Sequence, residues 1–82
     1  MNSSEIKRQI CELVQRKIGR KVTEKENLLE AGITSMLMVE LVVEIEEMLD
    51  IEFEYDSINY TVMESIESIS AYVGKRKVLN YE

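Results

Sequence analysis

Histidine, proline and tryptophan are missing from this 82-residue chain, cysteine occurs once and glycine three times. Each shortage excludes something. Without histidine there is no ordinary general base, no Ser–His or Cys–His nucleophile pair and no zinc or copper site of the usual kind. Cys11, being alone, forms no internal disulfide, which fits a reducing compartment. The glycines, Gly19, Gly32 and Gly74, are isolated, so no glycine-rich loop cradles a phosphate. The acidic residues nowhere adopt the Asp-x-Asp-x-Asp-Gly spacing of a calcium loop. The longest apolar run, Met36-Leu37-Met38-Val39, has four residues, far short of a membrane span. The polar start Met1-Asn2-Ser3-Ser4-Glu5 is unlike a secretory leader, so a soluble, cytoplasmic protein is expected.

What is present is apolar and acidic. Apolar residues make up 45% of the chain, too many for disorder, and with no proline nothing breaks a run of helices. One small domain over residues 1–82 is expected, with residues 78–82 as a frayed tail. Charge is segregated along the chain. Between Glu26 and Gly74 there are twelve acids and no base, a net of −12, while the two ends carry ten bases and four acids, a net of +6, giving −6 in all. Such a middle repels nucleic acid, whose phosphates need cations, and suits a partner with a basic surface.

The periodicity is helical almost throughout. Ser3 or Ser4 is expected to cap a first helix with Ile6, Ile10, Leu13, Val14 and Ile18 inward and Gly19 at its end. Cys11 falls on the flank of that stripe as a small hydrophobe. From Arg20 to Thr34 no period is sustained. Thr23-Glu24-Lys25-Glu26 matches a capping box that could start one helical turn, and Leu28, Leu29 and Ile33 are the expected apolar pins of the loop. A central helix opens at Ser35. At about 100° per residue its inward arc holds Leu37, Met38, Leu41, Val42, Ile45, Met48 and Leu49. The opposite arc holds Ser35, Met36, Val39 and Val43, bordered by Glu40, Glu44, Glu46 and Glu47. Asp50 to Tyr55 alternates acid and apolar, but a lone strand has no partner, so an extended connector with Ile51 and Phe53 inward is expected. Asp56 is expected to cap a short helix containing Ile58 and Tyr60. Ser65 caps a last helix with Ile66, Ile69 and Val73 inward and Gly74 as terminator, followed by Lys75-Arg76-Lys77.

Gly32-Ile33-Thr34-Ser35-Met36, followed by Val39-Glu40-Leu41-Val42-Val43-Glu44-Ile45-Glu46-Glu47, resembles the attachment motif and following helix of acyl and peptidyl carrier proteins. The last helix, Ser65 to Val73, resembles that family's final element. The resemblance implies an all-α, antiparallel four-helix bundle with a short third helix and a long loop between helices 1 and 2. It also implies 4′-phosphopantetheine, derived from coenzyme A, joined to Ser35 through a phosphodiester. Thr34 departs from the Asp most usual before the motif serine. Expected partners are a phosphopantetheinyl transferase, an acyl- or aminoacyl-loading ligase and downstream synthase enzymes with basic docking patches, in fatty acid, polyketide or nonribosomal peptide biosynthesis. They would dock on Thr34, Met36, Val39, Glu40, Val43, Glu46 and Glu47 of a monomeric, non-catalytic carrier.

The site's physics agrees with this independently, since a phosphodiester at the first residue of a helix meets unpaired amides and the positive dipole end. Two blander readings stand beside it. A serine at a helix start is often just an N-cap, and acidic helix faces are often merely solvated. The corresponding alternative is an unmodified helical adaptor or regulatory bundle that binds a basic partner through its acidic central helix.

Overall fold

The computed structural model describes the backbone of residues 2–80 and side chains through residue 77. The elements are α1 (Ser3–Ile18), α2 (Leu28–Ala31), α3 (Ser35–Leu49), one 3-10 turn (Tyr55–Ser57) and α4 (Ile66–Asn80), with no strand among the described residues. The expected all-α bundle is therefore present. Its short third helix is a single 3-10 turn, and the long loop carries the extra four-residue α2.

The first helix begins one residue earlier than expected. Asn2, in extended backbone, caps α1 by accepting the Glu5 N–H on its Oδ1 at 2.9 Å, while Ser3 and Ser4 are already helical. An amide oxygen three residues ahead of the orphan N–H does this as well as a hydroxyl. Ile6, Ile10, Leu13 and Val14 are buried and Ile18 is half-buried. Cys11 packs half-buried against the same core. Gly19, at φ 86°, closes α1 by donating its N–H to the Gln15 carbonyl at 2.8 Å.

In the long connection, the Thr23–Glu26 pairing forms, with the Thr23 N–H donating to Glu26 Oε1 at 3.2 Å, but it starts no helix. Asn27 does, accepting the Glu30 N–H at 3.0 Å to cap α2. Leu28 and Ile33 pin the loop as expected, and Val22 joins them in the core. Leu29 does not, because one turn of helix that buries Leu28 turns its neighbour outward. The Leu28 N–H donates to the Glu64 carbonyl at 2.8 Å and the Glu67 N–H to the Glu24 carbonyl at 2.9 Å, tying the loop to the head of α4.

Met38, Leu41, Val42, Ile45 and Leu49 of α3 are buried. Met48, expected inward, is exposed: it lies at the edge of the arc, in a shallow groove beside Leu13 and Arg16 of α1. The connector after α3 turns Ile51 and Phe53 inward. Asp56 caps nothing and lies within the 3-10 turn, with Ile58 half-buried and Tyr60 exposed after it.

Ser65 and Ser68 cap α4 reciprocally. The Ser68 N–H donates to Ser65 Oγ at 3.1 Å and the Ser65 N–H to Ser68 Oγ at 3.0 Å. Ile66, Ile69 and Val73 are buried as expected. Gly74 does not terminate the helix, which runs through it to Asn80. Lys75, Arg76 and Lys77 accordingly lie inside α4, which takes in residues 78–80 of the expected tail; Tyr81 and Glu82, also assigned to the tail, lie outside the described residues. Anchorage explains the extension. Lys77 Nζ donates to the Leu49 carbonyl at 2.8 Å and Arg76 Nε to the Glu52 carbonyl at 3.0 Å, contacts that outweigh the roughly 1 kcal/mol a mid-helix glycine costs.

The helix order in space follows. α1 packs chiefly on α4 and also on α3. Lys17, near the end of α1, pairs with Glu40 and Glu44 of α3, while Leu13, one turn earlier, lies in the same groove as Met48, one turn further along α3, so these two helices run in opposite directions. The far side of α3 is left uncovered, and Ser35 stands at its head.

Candidate functional site

The approach to Ser35 is built by two consecutive caps. Gly32 sits at φ 118°, a conformation a side chain would strain, and reverses the chain after α2; the Ile33 N–H then donates to the Leu28 carbonyl at 2.9 Å. Ile33 is buried and anchors the next step. Thr34, extended at φ −85° and ψ 169°, is the N-cap of α3. Its Oγ1 accepts the Leu37 N–H at 3.2 Å and its carbonyl accepts the Met38 N–H at 2.9 Å.

This division of labour decides what Ser35 is available for. Thr34 does the capping, so the N-cap reading of Ser35 fails. Ser35 is the first helical residue, exposed, with no hydrogen bond to its hydroxyl among the described residues. The Ser35 and Met36 amides likewise have no acceptor among the described residues, since Thr34 serves only the next two. An anion esterified to Ser35 Oγ would meet two unpaired N–H donors and the positive end of a helix of fifteen residues. The residues present therefore fit a phosphodiester.

Beyond the serine, Met36, Val39 and Val43 are 74%, 56% and 47% exposed and form an apolar strip along the uncovered side of α3. Glu47 is exposed beside it. The other acids of the expected frame are engaged. Glu40 Oε1 accepts from Lys17 Nζ at 3.2 Å, and Glu44 shares the same ammonium. The hydrogen bond that Lys17 donates to Glu44, reinforced by the one to Glu40, holds its ammonium above the ordinary lysine range against its partial desolvation. Glu46 Oε2 accepts the Phe53 N–H at 2.8 Å and so holds the connector rather than framing the strip.

Of the expected residues, then, Ser35, Thr34, Met36, Val39, Val43 and Glu47 share the exposed site, while Glu40 and Glu46 have partners within the fold. Sequence reasoning missed Lys17, whose pairing crosses helices and leaves no local signal. It also missed the α2 cap, for which the Asn27-x-x-Glu30 pattern was a legible sign. Elsewhere, a surface groove of about 420 Å³ lies along α1, lined by residues that include Lys7, Cys11, Glu12 and Glu24 and none of the site. Among the described residues no three His, Cys, Asp or Glu side chains are placed to hold a metal ion, and no helix is long and apolar enough to cross a membrane.

A family model described as phosphopantetheine attachment site matches residues 8–73. No curated protein matches the chain. Among solved structures, a chain of the crystal structure of Bradyrhizobium japonicum glycine:carrier protein ligase, complexed with its cognate carrier protein and an analogue of glycyl adenylate, superposes with a TM-score of 0.79. Its identity is 24%, and the match covers 87% of this chain and 97% of that one. At that identity the likeness establishes a shared fold.

Proposed function

The chain belongs to the phosphopantetheine attachment family, whose cofactor is covalently bound 4′-phosphopantetheine, and from that premise we propose that it is a discrete carrier bearing this arm on Ser35. One observation carries the assignment to Ser35: the residue is exposed at the first position of α3 with its capping duty taken by Thr34 and two neighbouring amides unpaired. The bound arm supplies a thiol on which an acyl or aminoacyl group rides as a thioester. Ser35 needs no activating base of its own, because a phosphopantetheinyl transferase supplies the chemistry, and the lack of histidine is then no obstacle. The Ser35 and Met36 amides would hold the phosphodiester, Thr34 leaves them free to do so, and Met36, Val39 and Val43 offer partners an apolar landing strip inside an acidic field.

Partners in this reading are the transferase, a loading ligase and the enzymes that consume the cargo, each with a basic docking face, in the cytoplasm. Of the two cargo classes, aminoacyl is favoured by the fold neighbour, a carrier complexed with an aminoacyl ligase.

Intact mass spectrometry after incubation with coenzyme A and a broad-specificity phosphopantetheinyl transferase tests the assignment. The expected result is one added phosphopantetheinyl group, mapped to Ser35 and abolished by Ser35→Ala with the helical circular dichroism unchanged. Ser3, Ser4, Ser57, Ser65, Ser68 and Ser70 are internal controls. Addition at any of these, or none with an active transferase, overturns the proposal.

A further inference from the structure

The acid border of the docking strip already holds a cation before any partner arrives. Glu40 and Glu44 follow Met36 and Val39 along α3 at the edge nearest α1, and both carboxylates converge on one ammonium, Lys17 Nζ. The Lys17 side chain is only 20% exposed, whereas Glu40 and Glu44 keep 50% and 41% of theirs. Solvent, or a partner, can therefore reach the two acids while the lysine stays tucked between the helices. A cation on a docking enzyme that seeks these carboxylates meets an intramolecular competitor already in place. We infer that Lys17 is a specificity-determining residue that tunes the charge of the docking face, lowering its affinity for basic partners and shifting recognition toward the apolar strip Met36-Val39-Val43.

This rests on the carrier reading above and names how that site is regulated. The occupant is a basic enzyme surface, because the segment that carries the strip, residues 26–74, has twelve acids and no base. Lys17 is a cation that the fold, rather than the sequence order, brings against the acids bordering the strip. An exposed ion pair is weak, so the competitor delays a partner without excluding it.

The test is steady-state kinetics of the full-length apo chain with coenzyme A and a transferase whose carrier-facing surface is basic. Lys17→Gln should lower the KM for the carrier by about two- to fivefold, the range that exposed ion pairs span, leave kcat unchanged and steepen the rise of KM with salt. Lys17→Arg preserves the pairing and should leave KM as it is. Lys75→Gln, on the exposed side of α4, makes the same change in net charge and should do little. Glu40→Gln should raise KM more in the Lys17→Gln background than in the native chain, where Lys17 already occupies that carboxylate. If Lys17 is only a strut between α1 and α3, Lys17→Gln will lower the melting temperature and leave KM unchanged, and the inference fails. It fails equally if Lys17→Gln and Lys75→Gln act alike. Either failure, with Ser35 still modified, leaves the carrier reading intact; absence of modification in the native chain overturns that reading and this inference together.

Discussion

Ser70 carries a hydroxyl that α4 has buried without a use. The residue is 8% exposed and its Oγ has no hydrogen-bond partner among the described residues. A desolvated, unsatisfied hydroxyl costs about 1–3 kcal/mol, and deleting it leaves only a small change in volume. Ser70→Ala should therefore stabilise the protein by about 1 kcal/mol, seen in urea unfolding as a higher midpoint with an unchanged slope. A lower midpoint would mean that the hydroxyl is satisfied in solution. Thr34 shows the opposite economy. A carboxylate at that position would cap the helix, but would also set a second negative charge beside the anion expected on Ser35. The threonine hydroxyl caps without that repulsion, at 3.2 Å from the Leu37 nitrogen.

At the scale of elements, α4 is long because its last turns are held, not because its residues prefer a helix. Gly74 has ordinary helical backbone, and a Cβ built on it meets nothing within 4 Å. Gly74→Ala should thus raise stability by about 0.5–1 kcal/mol through the unfolded state and helix propensity. Had Gly74 been the left-handed terminator its position suggests, the same change would lower stability, so chemical denaturation separates the two. The connector between α3 and the 3-10 turn is clasped from both sides. Glu46 of α3 accepts the Phe53 N–H at 2.8 Å, the Tyr72 hydroxyl of α4 accepts the Glu54 N–H at 2.9 Å, and the Phe53 and Tyr72 rings lie 4.9 Å apart. Alternating acid and apolar residues therefore serve a single extended segment, its apolar members in the core and its amides bound by side chains instead of by a second strand.

For the whole molecule, the cations of the two chain ends are folded back onto the edge of the acidic middle. Arg20 pairs with Glu26, Lys17 with Glu40 and Glu44, and Arg76 with Glu54. Each such exposed pair contributes little, being screened by solvent. Against them stands the repulsion among twelve acids, worth about 0.4 kcal/mol for two charges 10 Å apart in water, over dozens of pairs. Repulsion wins at low ionic strength. The melting temperature at pH 7 should accordingly rise as sodium chloride goes from about 0.01 to 0.15 M and the Debye length shrinks from about 30 to 8 Å. A fall in circular-dichroism melts would show that the ion pairs outweigh the repulsion. The same unbalanced field, extending beyond the surface, is what a basic partner would feel during encounter.

The amino-acid sequence by itself determined the three long helices, most of their inward residues, the exposed strip on α3 and the candidate serine, because these depend on periodicity and caps that act within a few residues. Ile6 to Val14, Met38 to Leu49 and Ile66 to Val73 follow their apolar spacing into the core, and Ser65 caps as its position demands. What only the tertiary structure decided lies where a residue's partner comes from another element. Glu40 and Glu46 read alike as surface acids, yet one meets a lysine on α1 and the other a backbone amide seven residues on. Gly74 reads as a stop and is carried through by Arg76 and Lys77 gripping the end of α3 and the connector. Local signals fix what a segment can form, whereas long-range contacts, worth as much as or more than those signals, settle which acids stay free for a partner and where the last helix ends.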